Sequence, residues 1–209
     1  MEQRTQEWFS ARLGKVTASR VADIVAKTKS GYSTSRDNYM AELICERLTG
    51  TKGESYQNAA MVWGTEQEPH ARAAYEAAQG VLVEETGFVL HTAIPDAGAS
   101  PDGLVGDDGL VEIKCPNTAT HMEFLATSKI PDKYVTQMMW QMACTKRSWC
   151  DYVSYDPRLP PRMNSKVIRV LADPILINNL ESEVRSFISE MKDKIAKLNN
   201  LYPETNDGL

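Results

Sequence analysis

The run Ser100–Pro116, SPDGLVGDDGLVEIKCP, decides how the chain is read. Its middle, Gly106-Asp107-Asp108-Gly109, is turn chemistry, because glycine reaches positive φ without steric cost and aspartate bonds its own backbone in tight turns. Short apolar runs stand on either side, so the segment reads as a β-hairpin. Successive strand side chains point to opposite faces. Glu112 and Lys114 therefore share one face of the second arm, and Val111 and Ile113 the other. Asp102, near the first arm, comes close to that pair when the hairpin closes. Two carboxylates then converge beside one lysine. One or two carboxylates hold Mg²⁺ while leaving water positions open for a phosphate oxygen. Such an ion polarises a phosphodiester, and a second ion stabilises the leaving 3′ oxygen. Lys114 would orient the attacking water or neutralise charge growing on the phosphate. The same three residue types also describe a hairpin with a surface ion pair, so the rest of the chain must decide.

On the N-terminal side, Ser35 can cap a helix in which Met40, Leu43, Ile44 and Leu48 recur at helical spacing, ended by Gly50. Ala59–Ala78 also reads as helix, ended by Gly80, with Pro69 either kinking it or opening a shorter one. Short β-type runs follow at Val81–Val83 and Phe88–His91 before the hairpin strand Leu110–Lys114. Beyond it, Pro131–Thr145 reads as a helix, Trp149–Tyr155 as a strand with alternating faces, and Lys166–Leu171 as another strand. A last helix at about 173–201 has Asp173 as its cap, Pro174 in its first turn and an apolar stripe from Leu180 through Val184, Phe187, Ile188, Met191 and Ile195 to Leu198. The expected fold is α/β (α+β), a small mixed central sheet flanked by helices. There is no internal repeat, and the one linker-like stretch is the polar run Thr49–Gln57. The reading is a single domain over 1–209.

With 209 residues, 42% of them hydrophobic, the chain can bury a sizeable core. No apolar run approaches the roughly 18 residues that cross a bilayer, so a cytoplasmic protein without membrane contact is expected. Cys45, Cys115, Cys144 and Cys150 form no C-x-x-C pair, and are read as reduced and mostly buried. His70, His91 and His121 lack zinc-ligand spacing and are read as structural or surface residues. The net charge of −5 argues against a nucleic-acid partner. Its distribution argues the other way: residues 4–36 carry seven basic side chains against two acidic ones, and residues 129–169 eight against three, on either side of an acidic middle.

Pro101-Asp102, nine residues, then Glu112-Ile113-Lys114 resembles the PD-(D/E)XK nuclease signature. The flanking letters resemble one branch of it, the phage lambda exonuclease or YqaJ-like viral recombinase family. Further segments are similar in the same order: WFSARLGKVTAS at Trp8–Ser19, WGTEQEPHAR at Trp63–Arg72, YVTQMMWQMACT at Tyr134–Thr145 and YDPR at Tyr155–Arg158. The resemblance implies a restriction-endonuclease-like core and a 5′-to-3′ exodeoxyribonuclease that degrades one strand of a double-stranded DNA end. A 3′ overhang is left for a single-strand annealing protein. It also implies a homotrimer ring, a phage or prophage origin in a bacterial host, and two Mg²⁺ per site with Mn²⁺ as a substitute.

Carried over by residue, Asp102, Glu112 and the Ile113 backbone carbonyl match the metal ligands, and Lys114 the active-site lysine. Glu68 matches the helix-borne acid and Gln137 the helical glutamine. Arg12 matches the arginine that holds the terminal 5′ phosphate, with Thr17 and Ser19 as hydroxyl donors. Met139 departs from the lambda pattern, which has a second glutamine there, while Gln141 lies one turn beyond Gln137 on the same helix face. The competing readings are an endonuclease or resolvase of the same fold, an iron–sulfur exonuclease, and a DNA-end-binding protein without catalysis. The intact Asp, Glu and Lys speak against the last.

Overall fold

The computed structural model describes residues 2–53 and 58–203, so the end of the expected linker-like run, residues 54–57, lies outside the described residues. The N-terminal part holds α1 (Gln6–Arg12), β1 (Val16–Thr17), a 3₁₀ turn over Ala18–Arg20, α2 (Val21–Val25), the small hairpin β2 (Lys27–Thr28) and β3 (Gly31–Tyr32), and α3 (Thr34–Thr49). Thr5 starts α1 by accepting from the Trp8 N–H at 3.3 Å. Ser35 is not the cap of α3. Ser33 has the extended backbone that a cap requires, and Ser35 sits in the first turn with its hydroxyl 2.5 Å from that of Ser33. The helix starts early because the Ser33 N–H is already tied to the Ala26 carbonyl at 2.9 Å, at the foot of the β2–β3 hairpin. Gly50 closes α3 at φ +68°, where glycine is unstrained.

α4 (Ala59–Gln79) is capped by Asn58, whose Oδ1 accepts from Met61 at 2.9 Å. It continues past Pro69 as one helix. Proline cannot bond the Thr65 carbonyl, but both residues are exposed, so water can take that carbonyl. The sheet strands follow: β4 (Val83–Glu84), β5 (Val89–His91), β6 (Ile94–Ala99), β7 (Gly103–Val105) and β8 (Gly109–Lys114). Next come α5 (Thr118–Thr127), α6 (Asp132–Thr145), β9 (Trp149–Tyr155), β10 (Ser165–Leu171) and α7 (Pro174–Leu201). Asp173 Oδ1 caps α7 by accepting from Ile175 at 2.9 Å and Leu176 at 3.1 Å.

Among the described residues five strands form a mixed sheet in the order β10-β9-β8-β7-β4, with β8 and β9 its one parallel pair; a separate sheet runs β1-β6-β5. β7 and β8 are the hairpin read from the sequence, paired Gly103↔Val111 and Val105↔Gly109. Gly103 is a steric requirement, because a Cβ there would stand 2.0 Å from Val83 Cγ1. β9 is the strand expected at Trp149–Tyr155, and Cys150–Tyr155 are all buried, because helices cover both faces of this inner strand. On one face α4 supplies Ala71 and Tyr75 to a cluster with Val111, Ile113 and Val153. On the other, Leu110, Cys150 and Tyr152 join the larger core around Trp140, Met138 and the α7 stripe Leu180, Val184, Phe187, Ile188 and Met191. No helix among the described residues is long and apolar enough to cross a membrane.

Candidate active site

β8 delivers its side chains as its alternation requires, Val111 and Ile113 toward α4 and Glu112 and Lys114 toward α6. Glu112 has no exposed surface. Its Oε1 accepts from Lys114 Nζ and from Gln137 Nε2 at 2.7 Å, and its Oε2 accepts from Gln141 Nε2 at 2.6 Å. Gln137 and Gln141 thus clamp both carboxylate oxygens from one face of α6. Met139 lies on the far side of that helix, where its sulfur accepts from the Asp173 N–H at 3.4 Å, so the position at which the chain departs from the lambda pattern is turned to the start of α7. The Gln141 Oε1 is buried without a hydrogen-bond partner.

Asp102 enters from the other arm of the hairpin and its Oδ2 accepts from the Ile113 N–H at 2.6 Å. Burial, and then the charges of Glu112 and Glu68, hold its carboxyl well above the usual carboxylate range, against the opposing pull of Lys114. Burial disfavours the Lys114 ammonium, but Glu112 and Asp102 outweigh it and keep that lysine charged far above neutral pH. Two crowded carboxylates with one ammonium are short of positive charge.

Among the described residues no three His, Cys, Asp or Glu side chains group to hold a metal. The fit to a hard divalent cation rests instead on two carboxylates and a backbone carbonyl, the sparse all-oxygen set that suits Mg²⁺. Glu68, on α4, does not join this pair. Its Oε2 accepts from Arg4 at 2.6 Å and its Oε1 from Arg72 at 3.3 Å, and Arg72 also binds Glu85.

Asp102, Ile113, Lys114, Glu68 and Gln137 all line one cleft of about 960 Å³. Arg12, Thr17 and Ser19 line a neighbouring cavity of about 310 Å³, and Ser19 and Met61 belong to both. The Arg12 guanidinium lies 4.0 Å over the Trp8 ring and donates to Ser100 Oγ at 3.0 Å. Burial lowers its pKa, though an arginine remains charged at working pH. Thr17 is nearly buried and its N–H donates to the Tyr39 hydroxyl at 3.1 Å. The segment Ser100-Pro101-Asp102 joins the two cavities, with Ser100 on Arg12 and Asp102 on the β8 backbone.

The two basic stretches are partly neutralised within the fold. Arg20 pairs with Asp23 and Glu42, Lys27 with Glu183, Arg36 with Glu190, Arg158 with Asp156 and Arg169 with Asp151. Sequence reasoning gave no role to Arg4, Arg72 or Arg158. Arg158 lines the cleft 4.5 Å over the Trp63 ring, held by the fully buried Asp156. The YDPR segment was its signal. The histidines are structural or superficial: His91 sits between Glu181 and Trp140, His121 between Ser154 and the Met163 carbonyl, and His70 is exposed. The four cysteines are free thiols; Cys45 alone is exposed.

A mixed sheet with a carboxylate–carboxylate–lysine motif at its central hairpin, flanked by helices on both faces, is a restriction-endonuclease-like core. The family model of the YqaJ-like viral recombinase domain matches residues 7–148, and the chain belongs to that family. It is similar to an alkaline exonuclease, LHK-Exo, of Laribacter hongkongensis, with 55% identity over 94% of this chain and 97% of that one and a TM-score of 0.88. The complex of LHK-Exo with dAMP matches equally, at 56% identity, the same coverage and a TM-score of 0.88. A phage-related exonuclease from Haemophilus somnus 129PT shares the fold at 14% identity, covering 88% of this chain and 96% of that one with a TM-score of 0.71. No curated protein sequence matches.

Proposed function

We propose that the chain is a Mg²⁺-dependent 5′-to-3′ exodeoxyribonuclease acting on linear double-stranded DNA. The observation that carries this reading is the pair of adjoining cavities, one lined by the Asp102 and Lys114 of the signature and the other by Arg12. The likeness to LHK-Exo over nearly its whole length supports both the activity and the reading of 1–209 as one nuclease domain.

Asp102, Glu112 and the Ile113 carbonyl would hold Mg²⁺, two ions in the fully loaded site with Mn²⁺ as a substitute. The ion supplies Lewis acidity toward the scissile phosphate. Gln137 and Gln141 hold the Glu112 carboxylate in one orientation ahead of substrate. Lys114 keeps its proton and offsets charge growing on the phosphate, while Glu68, which lines the same cleft, would accept a hydrogen bond from the attacking water. Water adds to phosphorus, the bond to the 3′ oxygen breaks, and a 5′-phosphomononucleotide leaves. The shortened strand carries a fresh 5′ phosphate. Arg12, with Thr17 and Ser19, would receive that phosphate in every cycle through paired charge-assisted hydrogen bonds.

The 3′ overhang would pass to a single-strand annealing protein. A homotrimer ring, in a bacterial cytoplasm and of phage origin, is the assembly and setting proposed from the family resemblance. Digestion of a linear duplex labelled at each end of one strand, with and without Mg²⁺, tests the core of this reading. Loss of the 5′ label first, only with the ion, is expected. Equal cutting of closed circular DNA would favour an endonuclease instead.

A further inference from the structure

Among the described residues three that are not glycine have left-handed backbone: Arg4 at φ +68°, Ser128 at +56° and Lys146 at +60°. Ser128 and Lys146 close α5 and α6, where such a conformation is ordinary. Arg4 closes no helix. A strained residue of this kind persists only where its surroundings over-determine it, and such residues gather at functional sites.

The surroundings are explicit. On one side, the Gln3 amide donates to the Thr86 carbonyl at 2.9 Å and to the Pro101 carbonyl at 2.7 Å, the residue before Asp102. On the other, the Thr5 hydroxyl donates to the Glu2 carbonyl at 2.9 Å while capping α1. The short strap between these anchors turns the Arg4 side chain into the cleft, where Nη2 meets Glu68. That side chain is half exposed, and a guanidinium has five N–H donors in a fixed fork. One carboxylate does not exhaust it, and the cleft it faces is the one that receives the DNA strand in the function proposed above.

We infer that Arg4 is a substrate-positioning residue, contacting a backbone phosphate of the strand drawn into the cleft while it keeps Glu68 in place. The strain at φ +68° is then the condition for aiming the guanidinium inward from a strap fixed at Pro101. This inference rests on the cleft being the DNA site.

Arg4→Gly separates the possibilities, because glycine accepts the left-handed backbone and the variant should fold at least as well as the parent. Binding of a 5′-phosphorylated duplex to protein without divalent metal is measured by fluorescence anisotropy across salt concentrations, and cleavage is then measured with Mg²⁺. The expected result is a log K against log salt slope shallower by about one, and KM raised roughly tenfold with kcat within a few-fold of the parent. An unchanged slope overturns the inference. If kcat falls instead while KM and slope hold, Arg4 acts on Glu68 alone. Glu68→Gln should keep the parent's salt slope; a slope lost with Glu68 would also overturn a direct phosphate contact. If the parent protein itself fails to cleave linear duplex, the proposed function fails, and the metal-free slope still reports on Arg4 separately.

Discussion

The two ends of the catalytic groove are built on opposite plans. At the Glu112 end, both carboxylate oxygens already have donors inside the protein, two amides and an ammonium, in a place with no exposed surface. At the Arg12 end, a cation rests on an aromatic face and, among the described residues, has one hydroxyl partner, beside an open cavity. The first end has its carboxylate oriented in advance, the finished state on which electrostatic preorganisation would rely in the proposed reaction. The second has hydrogen-bonding capacity in reserve, on which the proposed 5′-phosphate contact would draw.

Breaking the finished end should have the largest effect. Glu112→Ala is expected to abolish cleavage and also to destabilise the metal-free protein, because it takes the acceptor from two amides and from the Lys114 ammonium. Asp102→Asn should abolish cleavage equally, yet leave the metal-free melting temperature unchanged or higher, since the amide oxygen can still accept from the Ile113 N–H and a crowded charge is gone. Thermal melts in a chelator with parallel nuclease assays decide this. Equal destabilisation by both substitutions would break the contrast.

The reserve at the other end predicts a smaller and conditional effect. Arg12→Ala should slow digestion of a 5′-phosphorylated duplex by roughly ten- to a hundredfold, the worth of a charged hydrogen-bond pair, and slow a 5′-hydroxyl duplex much less. A common factor on both substrates, measured in initial rates, would remove Arg12 as reader of the end.

The smallest effect is in pH. Because the folded state raises the Asp102 pKa, the folded protein binds more protons than the unfolded chain once pH passes the ordinary carboxylate value of about 4. Its contribution therefore falls as pH rises from there until Asp102 is ionised in the fold. The metal-free parent should lose melting temperature toward neutral pH relative to Asp102→Asn, and saturating Mg²⁺ should narrow the gap. Parallel curves would mean that Asp102 is not under charge pressure.

What the letters revealed follows the same division. The hairpin, the shared face of Glu112 and Lys114 and the α7 stripe are local patterns, readable from turn residues and periodicity. β6 was not readable: Pro95, Asp96 and Gly98 carry little strand propensity, and its edge is set by pairing with the two-residue β1 far along the chain. α5 carries little signal in the sequence: Asn117 caps it, but its apolar residues form no strong stripe. The grip of Arg4 on Glu68 spans 64 residues and depends on a strap that no periodicity describes. Resemblance pointed to Glu68, while only coordinates could show its two arginines.

Gly103 makes the adjacent Asp102 look different from what it is in a mutational screen. A side chain at 103 would run into Val83, so substitutions there should yield little folded protein, whereas substitutions at 102 should yield soluble protein that does not cut. Scored by activity alone, the two positions would appear as one intolerant block. Scored by abundance as well, they would separate, and the boundary between scaffold and chemistry would fall between two neighbouring letters.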